Sequence, residues 1–197
     1  MAGRDADAGR YAADNTGAAS LPYLRPQKSG AIANVSSMGG QMSFPGVAAY
    51  SPSKFALEGL SEASAQELAP LGIKVMIVEP GALRTNFSCA DTIKQMPIME
   101  AYQHVVGTMR AFTRDLAGKQ DGAPVKAARA LDLALSADNT PLRLQVGAAA
   151  IAAVRAHAEH LLRDLGTWEK WAPTSASTRA LPMIPSSLRF DLHDPRI

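Results

Sequence analysis

Residues 29–40, SGAIANVSSMGG, and residues 72–85, GIKVMIVEPGALRT, flank residues 48–54, AAYSPSK, and the order of these three stretches decides the fold. Ala31 to Ser36 and Ile73 to Val78 are short apolar runs, each closed by loop-forming residues: a Ser/Gly loop after the first, Pro80-Gly81 after the second. Both runs are largely apolar at alternate and intervening positions alike, which predicts strands covered on both faces by helices. A helix is expected between them. Pro52 lies four residues after Ala48, and a proline is harmless only in a helix's first turn, where its missing N–H has no intrahelical partner. The helix is therefore expected to start within a few residues of Tyr50. Strand, loop, helix, strand makes a parallel crossover unit, hence an α/β chain with a doubly wound parallel sheet. In such sheets chemistry gathers at the carboxyl ends of the strands, and Ser37, Tyr50 and the Pro80–Thr85 loop all fall there.

Tyr50 and Lys54 are four residues apart at the start of that helix, so both side chains leave one face. A free phenol titrates near ~10, and a fixed ammonium beside a phenol favours the phenolate. The pair thus has the composition of a proton-transfer device. Past it, Ala56, Leu57, Leu60, Ala63 and Leu68 read as the apolar stripe of the helix, with Glu58 and Glu62 facing away.

In these residues the chain resembles the short-chain dehydrogenases/reductases. The resemblance rests on Val35-Ser36-Ser37 after one strand, Tyr50-Ser51-Pro52-Ser53-Lys54 on the next helix, and Pro80-Gly81-Ala82-Leu83-Arg84-Thr85 after the next strand. It covers roughly Leu21 to Trp171. It implies a partial Rossmann-like domain over residues 21–171, built on three C-terminal strands with flanking helices. It also implies NAD(P)-dependent interconversion of a carbonyl and an alcohol. Tyr50 would give or take the proton, Lys54 would hold the nicotinamide ribose, and Ser37, preferred over Ser36 on the family's spacing, would hydrogen-bond the substrate oxygen. Pro80, Gly81, Leu83 and Thr85 would pack against or bond the nicotinamide end. The hydride would come from NAD or NADP, since no side chain supplies one. The helix over 50–68 would serve as a homo-oligomer contact.

The family's Thr-Gly-x-x-x-Gly-x-Gly turn does not occur in the chain, nor does Gly-x-Gly-x-x-Gly or an Asn-Ala-Gly segment. The cofactor-binding first half of the family's domain is therefore expected to be missing, which would leave the Ala31–Ser36 strand with an open apolar edge. Without that half the sequence does not distinguish NAD from NADP. Asn15 is a weak stand-in for the family's catalytic-helix Asn, because only five residues separate it from Leu21-Pro22. Residues 1–20 are polar, rich in Ala, Gly and Asp and without a period, and are expected to be irregular.

Beyond Thr85, residues 86–122 form a long excursion carrying Met96, Ile98, Met99, Val105, Val106, Met109 and Phe112. In the family this region folds over the substrate, which implies a small hydrophobic carbonyl compound. Ordinary helix packing explains the same residues equally well. Ala123 to Ala137 is amphipathic with Pro124 near its start, Leu142 to Val146 is a short strand, and Ala148 to Leu165 is a further helix. Trp168 and Trp171 are expected to cap helix packing. Residues 172–197 turn to Pro, Ser and Thr and are expected to form an extended tail.

A net charge of +2, from 20 basic and 18 acidic residues without a basic run, offers nothing to nucleic acid. No stretch is long and apolar enough to span a membrane, and no apolar core of a signal peptide opens the chain. Cys89 is the single cysteine, so no internal disulfide forms, which fits a cytoplasmic protein. His157 and His160, three apart, lack a third ligand and argue for no metal. Ser51-Pro52-Ser53-Lys54 fits the Ser-x-x-Lys of penicillin-binding proteins, but Lys28-Ser29-Gly30 precedes it in the wrong order and no Ser-Asp-Asn lies between. The rival expectation is a chain of the same family that is catalytically inactive and serves as a binding module, or that stems from an incomplete gene.

Overall fold

The computed structural model describes residues 19–89, 92–93 and 95–171. A helix, α1, covers residues 19–27. Then follow β1 (Ala31–Val35), α2 (Tyr50–Leu68), β2 (Lys74–Pro80), α3 (Thr108–Leu116), α4 (Pro124–Ser136), β3 (Arg143–Val146) and α5 (Ala148–Trp168). The strands form one parallel sheet in the order β1-β2-β3. Ala31 pairs with Lys74 at one end of the first ladder, and Pro80 pairs with Val146 at the end of the second. Residues 19 and 20 are helical, so an irregular N-terminal segment does not extend to residue 20. Residues 1–18, Asn15 among them, and the expected tail over 172–197 lie outside the described residues.

The alternation of side chains along a strand sorts the core into two halves. On one face Met76 and Val78 of β2 and Val146 of β3 meet Ala127 of α4, with Leu131, Ala134 and Leu135 packed around them. On the other, Val75 joins Ile73 and Leu68 of α2, under Leu21 and Leu24 of α1. Covered from both sides, β2 is buried from Val75 to Glu79.

β1 departs from the expectation of cover on both faces. Ile32 and Asn34 turn toward α2, where Asn34 Nδ2 donates to Ser61 Oγ at 2.8 Å. Ala31, Ala33 and Val35 are exposed, Val35 by 56 %, because α4 packs on β2 and β3 and does not reach the outer strand. Among the described residues β1 is an edge strand with a bare face.

The stripe on α2 is also corrected. The helix starts at Tyr50 with Pro52 in its first turn, as the proline demands. The residues it buries are Ser51, Glu58, Ser61 and Leu68, whereas Ala56, Leu60 and Ala63 are exposed. The true stripe is rotated by about one residue, because Arg143 of β3 and Gln41 receive Glu58. Phe55 and Leu60 are thereby left on the outer side, 46 % and 40 % exposed. Trp168 and Trp171, expected to cap helix packing, are 65 % and 70 % exposed.

Candidate active site

The last ladder bond of β1 is made one residue past the strand, Ser36 N–H to Val78 O at 2.8 Å. Ser36 then points inward and is buried, while Ser37 begins a short 3-10 turn over Met38–Gly40. Ser37 Oγ accepts from the Gly39 N–H at 3.0 Å, the usual N-cap role of a serine. Its hydroxyl proton remains available to a ligand.

Tyr50 stands at the opposite wall of this turn. A Cβ placed on Gly39 would lie 3.4 Å from both Ser37 Oγ and Tyr50 Cε1. Ser37 Oγ and the Tyr50 ring therefore both flank Gly39. One turn along α2, Lys54 Nζ sits 5.8 Å from the centre of the Tyr50 ring and donates to Val35 O at 3.0 Å. Burial holds the Lys54 ammonium below the usual lysine range, and the negative charge of Glu58 partly restores it.

The third segment arrives from the end of β2. Gly81 N–H closes the sheet on Val146 O at 3.0 Å. A Cβ on Gly81 would come within 3.3 Å of the Ala150 Cβ and 3.2 Å of its backbone N, so α5 starts against bare backbone. Leu83 packs its side chain into the core beside Met76 and Val78, and its O accepts the Thr85 N–H at 2.9 Å. Thr85 caps the turn Asn86–Ser88, its Oγ1 accepting from the Phe87 N–H at 3.2 Å. Phe87 then lays its ring 5.9 Å from that of Tyr50, tilted by 55°. The motif analysis overlooked Phe87, and no sequence spacing marks it. Beyond this turn an open cleft is lined by Ser88, Ile93, Gln95, Thr113 and Arg114.

Behind these groups lies a buried polar cluster. Glu79, fully buried at the end of β2, accepts from Gln41 Nε2 at 2.9 Å and Gln145 Nε2 at 3.0 Å. Arg143 Nε reaches Glu58 Oε2 at 3.1 Å and Glu79 Oε1 at 3.3 Å, and its Nη2 reaches Glu62 at 2.7 Å. No local spacing marks Glu58 for this cluster, since its partner Arg143 is 85 residues away. No described group of three or more His, Cys, Asp or Glu side chains is placed to hold a metal. His160 instead faces Asp164 at 3.5 Å. Among the described residues no helix is long and apolar enough to cross a membrane.

Ser37, Tyr50 and Lys54 thus lie together past the carboxyl end of β1, and Thr85 follows β2 two residues before the Phe87 ring that faces Tyr50, in a parallel, doubly wound α/β arrangement. Residues 12–95 match the family model "short chain dehydrogenase". The oxidoreductase BOA17 of Botryotinia fuckeliana is 39 % identical over 157 residues, which is 79 % of this chain and 57 % of that protein. The 3-ketodihydrosphingosine reductase of Bacteroides thetaiotaomicron is 47 % identical over 76 residues, 39 % of this chain and 28 % of that one. A short-chain dehydrogenase from Streptomyces avermitilis superposes with a TM-score of 0.69 at 45 % identity, covering 77 % of this chain and 54 % of its own. A Burkholderia phymatum member solved with NAD shares the fold, with a TM-score of 0.59 at 17 % identity. In sequence over residues 12–95, and in fold, the chain is similar to the short-chain dehydrogenases/reductases. It spans little more than half the length of the Botryotinia and Streptomyces proteins.

Proposed function

We propose that the chain carries the catalytic part of an NAD(P)-dependent oxidoreductase that interconverts a carbonyl and an alcohol on a small, hydrophobic substrate. The observation that carries this reading is the meeting of three motif segments at one ring: Ser37 across Gly39, Lys54 along α2 and Phe87 behind Thr85 all lie against Tyr50. Residues 21–171 are the domain concerned.

The residues fit the nicotinamide end of such a cofactor. Lys54 and Thr85 offer donors, and the Pro80-Gly81 backbone approaches without a side chain. Bound there, the cofactor supplies or accepts the hydride. Ser37 donates to the substrate oxygen and holds it beside Tyr50, whose hydroxyl passes the proton at that oxygen. Lys54 holds the ribose hydroxyls and sets a positive charge by the phenol. Met96, Met99 and Phe112 remain exposed on the segment after Thr85 and support an apolar substrate.

Fluorescence titration of the purified chain with NADPH and with NADH tests this reading. Saturable binding of either supports it and picks the cofactor. The bare face of β1 favours a second reading, in which the chain acts as a binding module and its site is idle. A folded protein that binds neither dinucleotide would establish that second reading. The exposed side of α2 at Phe55 and Leu60 supports self-association through the 50–68 helix in either case.

A further inference from the structure

Two carboxylates, Glu58 and Glu79, are buried against the single guanidinium of Arg143. Stability does not explain this, since well-packed apolar side chains of similar volume serve as well or better at such positions. Position does. Glu58 is on α2, one turn past Lys54 and two past Tyr50. Its Oε2 accepts from Arg143 Nε of β3 at 3.1 Å and, at 3.4 Å, from Nε2 of Gln41. Gln41 is the residue that closes the turn opened by Ser37.

The other oxygen, Oε1, is buried, as is Ser36 Oγ. Both crowd the turn's second glycine. A Cβ on Gly40 would stand 2.6 Å from Ser36 Oγ and 2.9 Å from Glu58 Oε1. The carboxylate thus lies against the closing end of the Ser37 turn, at Gly40 and Gln41, and the lysine stands one turn back on its own helix.

We propose that Glu58 is a positioning residue for this site: it pins the Ser37 turn to α2 through Gln41 and Gly40, and it is the counter-ion of Lys54. The charged groups around it are Lys54 and Glu62 on α2, Glu79 on β2 and Arg143 on β3. Arg143 is shared with Glu62 and Glu79, so it does not cancel Glu58 outright. Burial favours the neutral form of Glu58, Ser36 opposes that, Glu79 reinforces it and Arg143 opposes it again. The inference rests on reading Ser37, Tyr50 and Lys54 as the catalytic group. Its test needs neither cofactor nor turnover, so a chain that binds no dinucleotide still answers it.

The experiment is an NMR titration of the Lys54 13Cε resonance in the full chain, for the wild type, E58Q, E58D and E67Q. Glu67 is an exposed carboxylate on the same helix and serves as control. In E58Q the Lys54 transition is expected to move to lower pH, whereas in E58D and E67Q it stays with the wild type. A packing defect would not be repaired by the shorter acid. The Gly39 amide, bonded to Ser37 Oγ, reports on the turn and is expected to shift in E58A. A Lys54 titration in E58Q that coincides with the wild type overturns the proposal, and so does a folded E58A with an unmoved Gly39 amide. Should E58A not fold, E58Q decides alone.

Discussion

The ring of Phe87 lies 5.9 Å from that of Tyr50 and joins the turn after β2 to the first turn of α2. Aromatic pairs at this separation contribute about 0.5–1.5 kcal/mol beyond their burial. Phe87→Ala is therefore expected to loosen the Tyr50 ring and lower turnover roughly two- to tenfold. Steady-state kinetics check this; an unchanged rate would leave Phe87 as a bystander.

Tyr50→Phe keeps the ring and its contacts with Phe87 and Gly39 and removes only the hydroxyl. Turnover is expected to fall by about 10²–10⁴-fold, the usual share of a general acid–base group. Affinity for NADH or NADPH should hardly change. A near-normal rate in this variant would take Tyr50 out of the mechanism.

Lys54→Met removes the Nζ donor that now reaches Val35 O, together with its charge. Losing charged hydrogen bonds to the ribose should weaken dinucleotide binding by about tenfold or more, and turnover should fall with it. Equal affinities of the variant and the wild type, measured by fluorescence titration, would place the cofactor elsewhere.

Gly81→Ala should destabilise the fold by about 1–3 kcal/mol, the ordinary cost of inserting a methyl group into packed structure. The new Cβ would meet the backbone N of Ala150 at 3.2 Å, and backbone at the start of α5 yields less readily than a side-chain end. Urea unfolding measures it. A variant as stable as the wild type would mean that α5 is not held against the Pro80-Gly81 turn.

Glu58 predicts a pH dependence of stability. Burial raises its folded-state pKa above the ordinary carboxylate value. A raised acid binds its proton more tightly in the folded chain, so its contribution to stability is full below the unfolded-state pKa and is lost as pH rises through the folded-state one. On acidification from neutral pH, the wild type should gain stability relative to Glu58→Gln, which has no proton to bind. Urea midpoints of both proteins at several pH values test the sign; a wild type that loses ground to the variant contradicts it.

The sequence by itself determined the order of strands and helices, the start of α2 and the meeting of Ser37 with Tyr50. These rest on local physics: apolar runs of strand length, a proline confined to a first turn, and an i, i+4 spacing that places Lys54 beside Tyr50. Which face of α2 is buried was decided only in the tertiary structure. Apolar content favours Ala56, Leu60 and Ala63, but Arg143 and Gln41 draw Glu58 inward, and the helix turns by about one residue to let them. Arg143 is 85 residues away in the chain, so no local pattern announces it. The bare face of β1 has the same origin. An apolar strand reads alike whether one or two of its faces are covered, and only the placement of α4 over β2 and β3 leaves Val35 in the open.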